Sequence, residues 1–464
     1  MNHTHPHICV IGGGFTGAAA AIACLRRLDQ PFSLTIVDPS AALGQGVAFG
    51  GSQPLHLLNV RTRDLSIHSD RPHDFLNWAF SQLDQGENDP GLHEGLAHSF
   101  LPRHLFGAYV RQRLFEAIER RDDVDTKISN EVAVSCSRRG GKFVLETERA
   151  ATLSADIVML TTAYGMQRPS AAGALVPYDV LPAERLMKAK SITLIGSGLT
   201  MVDALVSARR DGFNGTATII SRRGQLPRPH AAKGVKPLEV ALPRSRSIAR
   251  LTEAVRIVCE VADANGTPWQ AVFNGLRPRL QDFWQNLPIQ EQARFLRHVR
   301  PFWDAHRHRL PNDVHERILS EFHEGRAVLL RARVIEVTRR SNGFELKLKR
   351  RGSTEVERLQ TDLAFDCSGH KPDLAQPLIE SLINQGLARP DAHRLGLAVE
   401  PDGQLIGKSA VMTPGLFALG PLCQGTIWEI TAVPEIVRQA DAAAKAIGSW
   451  IDGCHLVGMD SKSA

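Results

Sequence analysis

Two short apolar runs along the chain each give way to a glycine-rich stretch. In the first, His7–Ile11 is followed by residues 12–17, which read GGGFTG, and then by a proline-free run of small apolar residues, 18–28. A β-branched run, a glycine turn and a small-residue run predict a buried strand, a tight turn and a helix.

The glycines of this turn, Gly12, Gly14 and Gly17, have the spacing G-x-G-x-x-G. Between a strand and a helix, the first permits a tight turn, the second lets the backbone approach a pyrophosphate, and the third lets the helix pack against the sheet. The N-terminus of the helix would supply oriented N–H groups to the phosphates, and Phe15 and Thr16 of the turn are expected at the same ligand. The glycine pattern is weak alone, and the strand and helix around it give it weight.

A second apolar run, Ser33–Val37, ends in Asp38. A carboxylate about 20 residues beyond such glycines accepts hydrogen bonds from a ribose diol. A surface aspartate that caps a turn with Pro39 is the alternative. Because strand, glycines, helix, strand and acid occur in this order, the pattern favours a nucleotide site.

The later apolar run, Ser191–Ile195, precedes residues 196–201, which read GSGLTM, and then a helical pattern. Gly196 and Gly198 keep the spacing of the first two glycines, whereas Met201 replaces the third. The chain therefore carries a second, slightly altered dinucleotide fingerprint.

The strand predicted at 216–220 leads to Arg222 and Arg223, without an acid at the ribose position. A carboxylate there would repel a 2′-phosphate, whereas guanidinium groups bind one through paired hydrogen bonds. The second site therefore favours NADP(H) over NAD(H). Solvated surface arginines are the alternative interpretation.

The two halves repeat one order of elements. After each fingerprint, two alternating runs predict a hairpin, and a buried strand then ends in a small-residue turn, at 162–165 and at 368–369. The alternating runs are 130–136, Lys142–Thr147, 328–337 and 343–348. A last strand, 415–419, and an alanine-rich helix, 433–450, would return to the first unit and complete it. The predicted fold class is α/β, with two Rossmann-like dinucleotide-binding domains.

Residues from about 238 to 322 interrupt this order of strands and helices, and their pattern predicts a helical insert. The stretch 297–309 is dense in arginine and histidine. It is either part of a pocket for an acidic or polar aromatic substrate or a solvated basic face of a helical layer. His306 and His308 are two residues apart and cannot share a helix face, so no metal site is predicted.

Composition sets the outer limits of these interpretations. The chain has 464 residues, a net charge of +6 and 43% hydrophobic residues, which is typical of a globular protein. At roughly 100–200 residues per domain, this length predicts two to four domains. The basic excess is dispersed and no aromatic RNA motif occurs, so nucleic acid is not an expected partner.

The 7 cysteines are dilute, odd in number and without a Cys-x-x-Cys pair. This pattern disfavours a disulfide scaffold, a zinc ribbon or a dithiol relay, and indicates a reducing, cytoplasmic compartment. Residues 1–7 lack the order of a signal peptide, and the apolar run that follows is too short for a bilayer. We therefore expect no membrane association.

The whole arrangement resembles the two-dinucleotide-binding-domain flavoproteins, the glutathione-reductase-like superfamily, over nearly the whole chain. The resemblance implies that the first fingerprint binds the ADP part of FAD and the second binds NADPH. The implied FAD-binding domain comprises 1–185 and 366–455, the NAD(P)H-binding domain 186–365, and a flexible tail 456–464. The residues expected at the cofactors are Gly12, Gly14, Phe15, Thr16, Gly17, Asp38, Asn59, Thr162, Gly165, Gly196, Gly198, Leu199, Thr200, Arg222, Arg223, Gly369, Gly420, Pro421 and Trp428.

One departure from the superfamily is clear. Its last strand usually ends in Gly-Asp, and the aspartate bonds the ribityl chain of the flavin, whereas this chain has Gly420 and Pro421. The ribityl contact is therefore expected from the backbone or from another residue.

Longer motifs resemble a bacterial group described only as FAD/NAD(P)-binding proteins, with which one type of FAD-dependent urate hydroxylase is associated. These motifs are residues 44–50, 56–60, 100–109 and 425–434. The resemblance implies a monooxygenase in which NADPH reduces FAD and a flavin C4a-(hydro)peroxide hydroxylates a small polar or heteroaromatic substrate. A flavin reductase that passes electrons to a quinone or protein partner is the alternative, and a non-catalytic dinucleotide-binding module is a third.

The candidates for catalytic positions near the flavin are His56, Asn59, Arg103 and Trp428, with Glu429 beside them. A helix N-terminus after residues 425–431 would favour negative charge on reduced flavin. Three of them have a structural alternative: His56 as a turn histidine, Arg103 as an arginine paired with an acid, and Trp428 as a tryptophan packed in the core. The expected small molecules are the substrate and O₂. The substrate's identity and the oligomeric state are left open.

Overall fold

The structure is a computed structural model that describes residues 5–40, 42–51, 54–83, 90–164, 173–177, 181–231, 235–369 and 373–460. Among these residues, no helix is both long and apolar enough to cross a lipid bilayer.

The first third of the chain alternates strands with helices and ends in an antiparallel meander. Its elements are β1 (His7–Ile11), α1 (Phe15–Arg27), β2 (Ser33–Val37), α2 (Gly46–Phe49), α3 (Asp74–Ser81), α4 (Pro90–His98), α5 (Arg103–Glu119), β3 (Asp125–Ser129), β4 (Ala133–Arg139), β5 (Lys142–Thr147), β6 (Thr152–Ala155) and β7 (Ile157–Leu160).

The middle part repeats this order, with a set of helices inserted after its second strand. Its elements are α6 (Ala183–Lys188), β8 (Ser191–Ile195), α7 (Leu199–Arg210), β9 (Thr216–Ser221), α8 (Ile248–Ala264), α9 (Trp269–Leu276), α10 (Leu280–Asn286), α11 (Ile289–Arg294), α12 (Arg300–Arg307), α13 (Asn312–His323), β10 (Ala327–Arg340), β11 (Gly343–Arg350), β12 (Glu357–Thr361) and β13 (Leu363–Asp366).

The last part is short and ends in the longest helix. Its elements are α14 (Pro377–Asn384), β14 (Gln404–Ile406), β15 (Met412–Ala418), a 3-10 turn (Gly420–Cys423) and α15 (Val433–Asp460).

The chain forms two compact units. The first comprises Met1–Ser52, Val60–Gly165 and Lys371–Ala464, and the second comprises Gln53–Asn59 and Met166–His370. The predicted domain boundaries fall at 185/186 and 365/366, whereas the two units divide at 165/166 and 370/371, and residues 53–59 belong to the second unit. The predicted tail starts at 456, whereas α15 continues to residue 460; residues 461–464 lie outside the described part of the chain.

The sheet of the first unit has the order β14-β15-β7-β1-β2-β3 and is parallel except for the β14–β15 pair. Its central strand β7 is fully buried. Helices α1 and α15 contact each other, and the separate sheet β4-β5-β6 packs with α14. The end of the chain thus completes the first unit, as the sequence predicts.

The sheet of the second unit has the order β12-β11-β10-β9-β8-β13. The first five residues of β10 pair parallel with β9, and the remainder pairs antiparallel with β11. In the first unit these two roles belong to separate strands, because β3 pairs with β2 and β4 pairs with β5. The predicted repeat and the predicted fold class are confirmed. The two units differ in that the single strand β10 takes the place of the two strands β3 and β4.

Several elements differ from their predicted limits. Helices α1 and α7 begin at Phe15 and Leu199, directly after a glycine with extended backbone, and not three residues later as predicted. Strands β3 and β12 were not predicted, because their side chains are mostly exposed or half-buried and lack an apolar run. The insert is helical from α8 to α13, in agreement with the prediction.

Candidate functional site

The first glycine turn lies at the carboxyl end of β1, between β2 and β7. Gly12 has φ of 102°, and a Cβ there would lie 2.7 Å from the carbonyl oxygen of Thr161. A Cβ on Gly17 would overlap the carbonyl oxygen of Gly12. The fold itself therefore requires glycine at positions 12 and 17.

Gly14 differs from these two glycines. Its φ is −69°, a value open to every residue, and the nearest atom to an added Cβ is Gly46 Cα at 3.4 Å. Phe15 and Thr16 follow it as the first residues of α1. The described chain therefore does not require glycine at position 14, because an added Cβ would make only ordinary van der Waals contact with Gly46.

The second glycine turn shows the same division. Gly196 has φ of 111°, and a Cβ there would overlap the carbonyl oxygen of Cys367 at the end of β13. Gly198 has φ of −89°, and no atom of the described residues lies within 4 Å of an added Cβ. Leu199 and Thr200 begin α7 and are half-buried. In both units, the fold thus tolerates a Cβ on the glycine directly before the helix, and among the described residues only Gly198 of the two borders open space.

Asp38 lies beside the first turn, at the end of β2. Its Oδ2 accepts a hydrogen bond from the N–H of Gly13 at 2.6 Å, and its Oδ1 accepts one from Ser40 at 2.7 Å. Each carboxylate oxygen accepts about two hydrogen bonds. The carboxylate is therefore held in place by the backbone and keeps capacity for a ribose diol.

Arg222 and Arg223 follow β9, the strand that corresponds to β2. Arg222 is exposed, and Arg223 is half-buried with its Nη2–H donating to the carbonyl oxygen of Arg297 at 3.4 Å. The second unit therefore presents two cations where the first presents Asp38.

The two small-residue turns follow β7 and β13. Thr161 Oγ1 lies 2.8 Å from the carbonyl oxygen of Ile11, so the threonine hydroxyl ties β7 to β1. Thr162 Oγ1 is buried and has no hydrogen-bond partner among the described residues. Gly369 has φ of 90°, and the predicted Gly165 lies outside the described residues. An unpaired hydroxyl at Thr162 is a polar atom that a ligand can satisfy.

The turn with Gly420 and Pro421 approaches the start of α1. Gly420 has φ of 70°, and a Cβ there would lie 2.7 Å from Thr16 Oγ1. Its N–H donates to Oε1 of Gln439 at 2.8 Å. Gln439, which is only 4% exposed on α15, was missed in the sequence. Its signal is a polar residue on the apolar face of that helix.

The predicted catalytic residues do not all lie in one unit. His56 is buried, and its Nε2 lies 2.7 Å from Oγ of Ser207 on α7. The carbonyl oxygen of Asn59 accepts a hydrogen bond from Nε2 of His230 at 2.9 Å. His56 and Asn59 thus belong to the second unit, whereas Arg103, the first residue of α5, belongs to the first.

Trp428 and Glu429 are each 6% exposed and lie just before α15. Glu429 has φ of 66°, a conformation that costs a residue with a side chain of order 1–3 kcal/mol. A Cβ on nearby Gly425 would overlap the carboxyl group of Asp391. Burial raises the pKa of Asp391 above its usual range, and the N–H of His393 donates to its Oδ1 at 2.7 Å. Asp391 was not singled out in the sequence, where nothing marks it as buried.

Comparison with known proteins agrees with this architecture. Residues 9–165 match the model of a protein family described as FAD-NAD(P)-binding. No curated protein matches the sequence. Among solved structures, ornithine hydroxylase from Pseudomonas aeruginosa is similar, with 16% identity and a TM-score of 0.63 over 97% of this chain and 100% of that chain.

Two further solved structures are similar over most of the chain. FAD-bound cadaverine monooxygenase of desferrioxamine biosynthesis from Erwinia amylovora has 15% identity and a TM-score of 0.63, with 96% of this chain and 95% of that chain covered. Thioredoxin reductase from Lactococcus lactis has 12% identity and a TM-score of 0.52, with 97% and 99% covered. At these identities, the likeness establishes the fold, two Rossmann-like domains with helical regions.

Proposed function

We propose that the chain is an FAD-dependent, NAD(P)H-consuming monooxygenase that hydroxylates a small polar or heteroaromatic substrate. The observation that carries this proposal is that the fold itself does not require glycine at positions 14 and 198, the residues directly before α1 and α7. Two such glycines, each directly before a helix, suit the close approach of the pyrophosphates of two dinucleotides. The family match over residues 9–165 supports a nucleotide in the first unit.

In the first unit, the N-terminus of α1 would bind the FAD pyrophosphate and Asp38 would accept hydrogen bonds from the ribose. The unpaired hydroxyl of Thr162 would find a partner in the cofactor. Gly420 approaches Thr16 too closely for a side chain, so this turn offers backbone groups and not the missing carboxylate. Bound FAD would supply hydride acceptance and the activation of O₂.

In the second unit, the N-terminus of α7 would bind the NADPH pyrophosphate, with Gly198, Leu199 and Thr200 at its first turn. Arg222 and Arg223 would bind the 2′-phosphate. Because Arg223 already donates to a backbone carbonyl oxygen, part of its side-chain freedom is lost before the ligand arrives.

The residues before α15 would lie at the flavin ring. Trp428 is buried there, and the strained backbone of Glu429 sets the direction of the chain into the helix. The N-terminus of α15 would stabilise negative charge on the reduced ring. Arg103 of the first unit, and His56 and Asn59 of the second, are the other candidates for catalytic residues.

The substrate class rests on two kinds of likeness. The solved hydroxylases of similar fold are described as acting on ornithine and cadaverine. The resemblance of the longer motifs is to a group with a urate hydroxylase. All of these are small polar molecules, so the substrate panel that tests the proposal contains amines, amino acids and urate.

A purified sample should show the absorption of oxidised flavin, or acquire it on addition of FAD. NADPH should bleach that absorption under anaerobic conditions. In air, one member of the substrate panel should be hydroxylated, with NADPH and O₂ consumed in equal amounts, as measured by absorbance, an oxygen electrode and mass spectrometry.

Protein that stays colourless with added FAD would contradict the flavoprotein proposal. Flavin that NADPH reduces, and that passes electrons to a quinone without oxygenating any substrate, would favour the reductase instead.

The double substitution Arg222→Ala with Arg223→Ala should raise KM for NADPH about tenfold or more, because each charge-assisted hydrogen bond contributes about 1.5–3 kcal/mol. KM for NADH should change little. The measurement is steady-state NAD(P)H oxidation with both nucleotides. A matched control is Arg350→Ala with Arg358→Ala, which removes two exposed arginines of the same unit. Equal changes for NADPH and NADH would show that these arginines do not bind the phosphate.

A further inference from the structure

The helical insert of the second unit buries an arginine that forms no ion pair among the described residues. Arg309 follows α12 and is 6% exposed. Its Nε–H donates to the carbonyl oxygen of His306 at 2.8 Å, and its Nη1–H donates to Oδ1 of Asn274 at 2.9 Å. Its guanidinium lies over the ring of Trp269, with Cζ 5.0 Å from the centroid. All of these partners are neutral.

The charged groups that act on Arg309 have the same sign as its own charge. Burial and then Arg307 and Arg277 lower the pKa of Arg309 to about 10. The guanidinium is therefore still cationic at neutral pH. An arginine is almost never fully buried unless it is paired with an acid, because desolvation of a lone charge costs several kcal/mol.

His306, beside Arg309, does not add a further charge. Burial above all, and then nearby arginines, lower the pKa of His306 below its usual value. Its Nδ1 lies 2.7 Å from the carbonyl oxygen of Phe302, which can only accept, so Nδ1 carries the proton. The ring stacks on Phe273 with a centroid distance of 5.4 Å, and Phe273 stacks on Trp303 at 5.2 Å. A neutral cluster of stacked aromatic rings thus lies next to the positive charge of Arg309.

We propose that Arg309 anchors an oxyanion site in the helical insert, which takes the carboxylate of a small organic molecule. A guanidinium has five N–H donors, and the described partners use two of them. The planar fork of the remaining donors matches the two oxygens of a carboxylate. An anion there also relieves the repulsion from Arg277 and Arg307. The inference goes beyond the proposed function, because the site needs neither flavin nor nicotinamide.

The test is ligand-dependent thermal stabilisation and tryptophan fluorescence of the full chain. Benzoate is the probe, benzamide is its neutral analogue, inorganic phosphate is the second oxyanion, and NaCl keeps the ionic strength constant. Benzoate should raise the unfolding temperature saturably and change the fluorescence, and benzamide should do neither. The fluorescence change should be lost in Trp269→Phe, because that indole lies against the guanidinium.

Arg309→Gln should weaken benzoate binding about tenfold or more, through the loss of a charge-assisted pair. The control Arg294→Gln removes an exposed arginine of the same insert, paired with Glu291, and should leave benzoate binding unchanged. If Arg309→Gln does not fold, the comparison of benzoate with benzamide on the wild type and on Trp269→Phe still tests whether the site binds a carboxylate. Equal responses to benzoate and benzamide, or a saturable response to phosphate alone, would overturn the proposal. Because colourless protein can be used, failure here is distinct from failure of the flavin proposal.

Discussion

Gly14→Ala should weaken FAD binding roughly 5- to 150-fold, a range that corresponds to the 1–3 kcal/mol cost of one methyl group forced into a close contact. The apoprotein should keep its unfolding temperature, because the nearest atom to the new Cβ is 3.4 Å away and the backbone φ of −69° suits alanine. The measurements are FAD titration by flavin fluorescence and thermal unfolding of the apoprotein. Weakened binding with intact stability would show that FAD closely approaches Gly14.

Two other glycines serve as controls for that result. Gly17→Ala places a methyl group onto the carbonyl oxygen of Gly12, so this variant should lose stability as well as the cofactor. Gly198→Ala, where no described atom lies within 4 Å, should weaken NADPH binding and spare FAD. If Gly14→Ala bound FAD as tightly as the wild type, the pyrophosphate would not approach this turn, and the proposed binding mode would be wrong.

The elements of the fold that are set by residues close together in the sequence were predictable. The limits of β1, β2, β5 and β8 agree with the predicted runs, because each is a short apolar or alternating segment bounded by glycine or polar residues. The two glycine turns follow from the same local signals. The starts of α1 and α7 were placed too late, since the helical pattern of apolar residues begins after the first turn of the helix.

The parts that depend on long-range contacts were not predictable. The carboxyl edge of the first sheet is joined to Gln439 through one hydrogen bond to Gly420, 19 residues earlier, and no local pattern marks that pair. His56 was assigned to the flavin domain by its position in the chain, yet its imidazole contacts Ser207. The burial of Arg309 within a basic stretch is likewise a tertiary property, because the same sequence is compatible with a solvated helix face.

A further tertiary feature is the buried ion pair that joins α7 to α13. Nε and Nη2 of Arg209 donate to Oε2 of Glu321 at 2.9 and 2.7 Å, and Nη1 donates to the carbonyl oxygens of Phe213 and Gly215. Glu321 is 4% exposed, and Arg326 reaches its other oxygen at 3.1 Å. The guanidinium of Arg209 therefore satisfies one oxygen of the buried carboxylate and two backbone acceptors, and Arg326 pairs with the other oxygen.

Arg209→Met should lower the unfolding free energy of the second unit by about 3–5 kcal/mol, because the buried carboxylate keeps only its contact with Arg326 and two carbonyl oxygens lose their donor. Urea unfolding, followed by tryptophan fluorescence, measures this loss. The neighbouring Arg210→Met, at a side chain that is 38% exposed and paired with Asp211, should stay within about 0.5 kcal/mol of the wild type. Adding Glu321→Leu to Arg209→Met should recover part of the loss, since the buried carboxylate that has lost Arg209 is then gone. The two carbonyl oxygens remain unsatisfied in the double variant, so full recovery would mean that the ion pair, and not the backbone contacts, accounts for the whole effect. A loss no larger than that of Arg210→Met would show that this pair does not stabilise the unit.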